Sequence, residues 1–179
     1  MNHGYLIKNG MVRIMHKIKE IFKSKKMIYF LIFILLFLLC YLFPYSHDDW
    51  AWGSQFGIDR LESHFEGYNG RWFGNFAVLL LTRSNLLKTF VMSFCLTGIL
   101  YYINKIIKSE KITTILLSFL LLLATPYLVF RQGIVWTAGF SNYAISIFLC
   151  LIFINANKEL LEDKDIKISN LWLLLFFGL

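Results

Sequence analysis

The chain has 179 residues, of which 58% are hydrophobic, 18% aromatic and only 16% charged, with a mean hydropathy of +0.60. A soluble domain carries about a quarter charged residues, so this composition excludes an ordinary soluble enzyme and points to a multipass membrane protein. The formal charge of +7 does not indicate a nucleic-acid binder, because the basic residues fall in alternate loops rather than on one face.

Residues 1–26 are basic. Within them Met11, Ile14, Met15, Ile18, Ile21 and Phe22 recur at helical spacing among lysines, which predicts an amphipathic helix on an anionic membrane surface. Such a helix serves either as a topological anchor or as a lipid or partner sensor. The first apolar run, 27–43, holds no charge, is followed by Pro44, and has about the length needed to cross a hydrocarbon core. It exceeds the apolar region of a signal peptide and no small-residue cleavage pattern follows it, so it reads as an uncleaved span.

The outer segment 44–87 is punctuated by Gly53, Gly57, Gly67 and the turn signal Asn69-Gly70. Ile58, Leu61 and Phe65, at i, i+3 and i+7, predict a short helix resting on the interface, and the apolar stretch from Trp72 to Leu81 predicts a second interfacial or re-entrant one. Further spans are expected at about 88–104, 112–130 and 141–157. Pro126 should bend or end the third, and Ser141 or Asn142 should cap the fourth. Between these two spans, 131–140 reads as a second outer loop that dips toward the membrane, and 158–167 as a solvated loop. A last apolar segment opens at Leu171 and occupies 171–179, well short of the roughly twenty residues a span needs. The chain therefore reads as the front part of a longer protein or as a truncated reading frame. The expected fold is all-α: a polytopic transmembrane helix bundle of about four complete spans plus a cut-off fifth, with short interfacial helices in the first outer loop.

Charge sets the expected orientation. Lys8, Arg13, Lys17, Lys19, Lys23, Lys25 and Lys26 precede the first span; Lys105, Lys108 and Lys111 follow the second; Lys158, Lys164 and Lys167 follow the fourth. Only Arg60, Arg71, Arg83, Lys88 and Arg131 remain for the other side. The positive-inside bias then puts the N-terminus in the cytoplasm and Asp48 and Asp49 outside, in a bacterial plasma membrane. Cys40, Cys95 and Cys150 lie in separate apolar spans, with neither a disulfide framework nor metal-thiolate spacing.

The chemistry-bearing candidates cluster in the outer segments. Asp48 and Asp49 are adjacent carboxylates just beyond a span, suited to act as a general base or to hold a divalent cation such as Mg or Mn, or else to be solvated loop acids. Trp50, Trp52, Trp72 and Trp136 form either an interfacial aromatic belt or platforms for sugar rings. Arg71 and Arg131 have the planar fork that suits phosphate, with pairing to acids or snorkelling as the alternative. Asn75 and Asn142 are candidate hydroxyl-directed hydrogen-bonding groups or ordinary helix contacts. There is no Gly-rich phosphate loop, no Ser-His-Asp arrangement and no basic-aromatic nucleic-acid face.

Three stretches in this order, Asp48-Asp49-Trp50-Ala51-Trp52-Gly53, Asn69-Gly70-Arg71-Trp72-Phe73-Gly74-Asn75 and Trp136-Thr137-Ala138-Gly139-Phe140-Ser141-Asn142-Tyr143, resemble a family of uncharacterised bacterial multipass proteins related to the type-C glycosyltransferase superfamily. The resemblance covers roughly 27–157. It implies an enzyme that takes a sugar from a polyprenyl-phosphate donor at the outer face and gives it to a glycan, lipid or protein acceptor. On that pattern Asp48 or Asp49 is the base or a metal ligand, and the outer arginines stabilise the departing lipid phosphate. Such enzymes have more spans than this chain offers. The alternatives are a transporter or flippase of a lipid-linked or small anionic substrate, and a non-catalytic multipass protein.

Overall fold

The computed structural model describes residues 24–109 and 111–161, and these are helical, with no strand among them. The basic segment expected over 11–26 lies outside the described residues apart from its last three, and so do 162–167 and the apolar segment 171–179.

Helix α1, Lys25–Tyr41, buries Ile28, Ile32, Leu36 and Cys40, one row of residues four apart, while Phe30, Leu35 and Leu38 point outward. Its 17 residues rise about 25 Å, short of the roughly 30 Å hydrocarbon core. The buried row packs on the long helix α5, Asn85–Ile106, with Tyr29 edge-on to Tyr101 and Phe33 edge-on to Phe90.

Between these helices the segment 44–84 folds into three short ones: α2, Asp49–Trp52; α3, Gln55–Glu62; and α4, Trp72–Arg83. Ser54 caps α3, accepting from the Phe56 N–H at 3.3 Å, so α3 begins earlier than the expected Ile58–Phe65 repeat. Phe65 lies beyond the helix in the left-handed region, at φ 58°, and is driven inward against Trp52, Val78, Leu79 and Ala138. The second predicted interfacial helix is α4, and Ser84 behind it caps α5 by accepting from the Leu87 N–H at 3.3 Å.

The third expected span is not straight. Helix α6, Ile112–Leu123, stops before Pro126, whose backbone is extended at φ −51° and ψ 136°; α7, Tyr127–Phe130, then leads into a π-helical turn, Arg131–Val135. The two pieces, Ile112–Leu123 and Tyr127–Val135, meet at 89°. Proline supplies the break, having no N–H to donate and a ring that crowds the preceding turn.

The second predicted loop, 131–140, is also helical. After an extended Trp136 the chain re-enters helix at α8, Thr137–Asn142, and runs on as α9, Ala144–Leu161. Ser141 and Asn142 therefore do not cap the fourth span. Their side chains return within the helix, Ser141 Oγ donating to the Thr137 carbonyl at 2.9 Å and Asn142 Nδ2 to the Ala138 carbonyl at 2.7 Å. The sharp re-entry needs Gly139, where a Cβ would collide with the Gln132 carbonyl.

Among the described residues, two helices are thus long and apolar enough to cross a membrane, Asn85–Ile106 and Thr137–Lys158, each of 22 residues. A third crossing exists only if the bent pair counts as one. Where the sequence predicts four complete spans, helix lengths support two to three, because α1 is short and the third segment folds back at Pro126.

Candidate functional site

The adjacent aspartates have opposite fates. Asp48 precedes α2 and is exposed, whereas Asp49 is its first helical residue and is 1% exposed. Successive residues of a helix point about 100° apart, so one carboxylate faces solvent and the other faces α8. Asp49 Oδ2 accepts from the Ser46 N–H at 3.1 Å and the Thr137 N–H at 3.2 Å, and Oδ1 accepts from the Ala138 N–H at 3.0 Å. Its charge therefore sits on the N-terminus of the helix running on from Thr137, where backbone donors and the helix dipole favour an anion. Asp49 ties together two segments 88 residues apart.

Asp48 Oδ1 accepts from the Trp136 indole N–H at 3.0 Å, and the His47 ring stands edge-on to Trp136 at 5.7 Å. Trp136 is the only hydrogen-bond partner of this carboxylate among the described residues, and Asp48 is otherwise exposed. All the N–H bonds just described occupy both oxygens of Asp49, and among the described residues no three His, Cys, Asp or Glu side chains gather.

Lys88 was legible in the sequence only as one outer base, yet its side chain is 1% exposed in the first turn of α5. Its ammonium donates to the Phe43 carbonyl at 2.6 Å and lies 4.1 Å from the Tyr45 ring centroid. The negative charge of Asp49 also acts favourably on this ammonium, against the larger cost of its burial. Tyr45 donates to the Leu81 carbonyl at 3.2 Å; burial first, and the Asp49 charge second, push its hydroxyl pKa above the ordinary value. The signal was available: Lys88 falls on the row of Met92, Cys95 and Ile99, all buried. Arg83 was also missed. Its guanidinium donates to the carbonyls of Gly53 at 2.9 Å, Ser54 at 2.8 Å and Trp52 at 3.3 Å, closing the C-terminal end of α2.

The remaining candidates separate. Arg71 and Asn142 line one cleft of about 380 Å³, together with Trp72, Ser141, Tyr143 and Ser146. Gly74 lets α4 approach this cleft closely, since a Cβ there would meet the Asn142 amide oxygen. Neither aspartate lines it, and neither does Arg131, which is exposed and lies 5.7 Å from the Tyr127 ring centroid. Asn75 is buried and donates to Asn69 Oδ1 at 2.9 Å, the atom that also accepts from the Arg71 N–H, so its amide holds the turn rather than facing a ligand. Trp52 is a core residue at 2% exposure, packed on Phe56, Phe65 and Tyr68, and is no platform. Trp50 is exposed beside Tyr45, and Trp72 is exposed beside Phe65.

An apolar groove of about 420 Å³ runs between α5, the bent segment and α9, lined by Leu96, Ile99, Leu122, Val129, Ile134 and Ile147. Tyr143 lines both this groove and the Arg71–Asn142 cleft. The two cavities therefore meet at one side chain, the first polar and the second oily.

No family model, no curated protein and no solved structure matches the chain. Fold and site together define a class: a helical chain, over its described residues, with two to three helices fit to cross a membrane, an exposed carboxylate–indole pair, and a polar cleft that shares Tyr143 with an apolar groove.

Proposed function

We propose that this chain is a membrane glycosyltransferase, or part of one, that draws on a polyprenyl-phosphate-linked sugar, with Asp48 as the general base and Asp49 as a positioning residue. The observation that carries the proposal is the contrast between the two carboxylates, one saturated by backbone N–H groups and one presented to solvent by Trp136. The paired cavities support the donor class, since a lipid phosphate needs a cationic polar cleft continuous with an apolar groove.

In this scheme the acceptor hydroxyl gives its proton to Asp48 Oδ2 while its oxygen forms a bond to the sugar's anomeric carbon. The anomeric C–O bond to the donor phosphate breaks, and its electron pair leaves on the phosphate oxygen. Arg71 meets the charge developing there. Asp49 holds the start of α8, and Asn142 lies five residues further on, about 7.5 Å along the helix axis. Base and anion cleft are thus fixed to one short rigid element. No step is assigned to a metal.

A transport reading has one observation in its favour, the buried Lys88 within a potential crossing. Against it, Lys88 is in the first turn of α5 and already held by Phe43 and Tyr45. The test is Asp48→Asn, assayed in membranes for sugar transfer from a polyprenyl-phosphate donor. General-base loss lowers transfer by about 10²–10⁴-fold at unchanged expression. Transfer at the wild-type rate from a normally inserted Asp48→Asn protein refutes the enzyme.

A further inference from the structure

At the opposite end of α1 and α5 lies a second polar cavity, of about 380 Å³, that the sugar-transfer scheme does not use. Lys25, at the start of α1, and Lys105 and Lys108, at the end of α5, are three basic residues in its lining. Asn104 also lines it. That side chain is 2% exposed and donates to the Leu100 carbonyl at 2.8 Å and to Ser118 Oγ at 3.2 Å, while its own Oδ1, buried, accepts from nothing among the described residues. The cavity thus combines three basic side chains with the polar Asn104 and Ser109, a lining that suits an anionic group.

Tyr29 and Tyr101, in edge contact at 5.6 Å, form a wall with a second face. On that face they line an apolar groove of about 490 Å³ together with Phe30, Phe33, Phe94 and Phe148. The cationic cavity and the aromatic groove thus share one partition. Free phosphate would need only the first. An amphiphile fills both.

We infer that this end of the bundle is a binding site for an anionic phospholipid whose phosphate lies among Lys25, Lys105 and Lys108 and whose acyl chain runs along the Phe33–Phe148 groove. Phosphatidylglycerol has this chemistry. The site is independent of the transfer scheme, lying at the other end of the helices.

The test uses the whole chain in detergent, with bound lipid counted by native mass spectrometry. Phosphatidylglycerol, phosphatidylcholine and soluble glycerol phosphate are the three probes. Phosphatidylglycerol is expected to bind selectively over both others. Lys105 and Lys108 are exposed, so replacing them does not threaten folding. Lys105→Gln/Lys108→Gln should weaken phosphatidylglycerol binding roughly thirtyfold, from about fivefold per basic residue near a headgroup. Lys105→Arg/Lys108→Arg should retain it. Lys111→Gln/Lys158→Gln, outside the cavity, should also leave it intact. Equal binding of phosphatidylcholine, equal binding of glycerol phosphate, or equal weakening by the two glutamine pairs would each overturn the assignment, the last by showing diffuse surface attraction.

Discussion

Replacing Asp49 by asparagine tests the clamp between the start of α2 and the start of α8. An asparagine of the same shape keeps one oxygen, which can still accept from Ser46 and Thr137 as Asp49 Oδ2 does. Its NH₂ group then stands where Oδ1 meets the Ala138 N–H, donor against donor. One orphaned buried N–H costs about 1–3 kcal/mol. Loss of the charge at a partly buried helix start costs up to about 2 kcal/mol more. The sum, about 1–5 kcal/mol and centred near 3, is a large part of the roughly 5–15 kcal/mol by which domains are stable. At roughly 2–4 °C per kcal/mol for a chain of this size, the melting temperature should fall by about 10 °C. Thermal unfolding in detergent, followed by tryptophan fluorescence, reads this directly, since Trp52 and Trp136 flank the clamp. Asp48→Asn is the internal control. Its amide oxygen can still accept from the Trp136 indole at an exposed position, so its effect should stay within about 0.5 kcal/mol. Adding Lys88→Met to Asp49→Asn should give less than the sum of the single losses, because the first change has already removed the charge that steadies the ammonium. Equal melting temperatures for Asp48→Asn and Asp49→Asn would refute the division of labour between them.

Two further outcomes check the surroundings of the site. Gly139→Ala forces a methyl group onto the Gln132 carbonyl and should destabilise by about 1–3 kcal/mol, measured as a lowered melting temperature; an unchanged value would show that the re-entry after Trp136 is loosely packed. Tyr45 has a hydroxyl pKa raised by burial and by Asp49, so its neutral form is the one the fold favours. The associated stability is fully present below the unfolded value of 10.0 and is lost as pH rises through the higher folded value. Tyr45→Phe should therefore show a shallower loss of stability than wild type as pH rises above 10.0, and parallel pH curves would contradict that.

The helices were legible because hydrophobic periodicity is local. The apolar run 27–43 emerged as Lys25–Tyr41 and the run 88–104 as Asn85–Ile106, each shifted by a few residues through capping and flanking lysines. Pro126 announced its own break. The loop expected over 131–140 failed for a non-local reason: Arg131–Val135 and Thr137–Asn142 become helical because Ile134, Ala138 and Phe140 find buried surfaces on other elements, and polar loop composition does not report that. Trp52 and Trp50 illustrate the same limit. They are two residues apart and equally aromatic, but only Trp52 meets Phe65 and Tyr68 across the chain.

By itself, then, the order of residues determined an α-helical, apolar chain and confined its polar chemistry to the segments around 44–87 and 131–142. Tertiary structure decided which groups act and which hold. It turned Asp49 inward onto Thr137 and Ala138, left Asp48 with a single indole, buried Lys88 against Phe43, and sent Arg71 and Arg131 to separate surroundings. The physical reason is that a side chain's exposure and partners depend on its rotation about a helix and on what a distant segment places opposite it, and neither quantity is written in the spacing of residues along the chain.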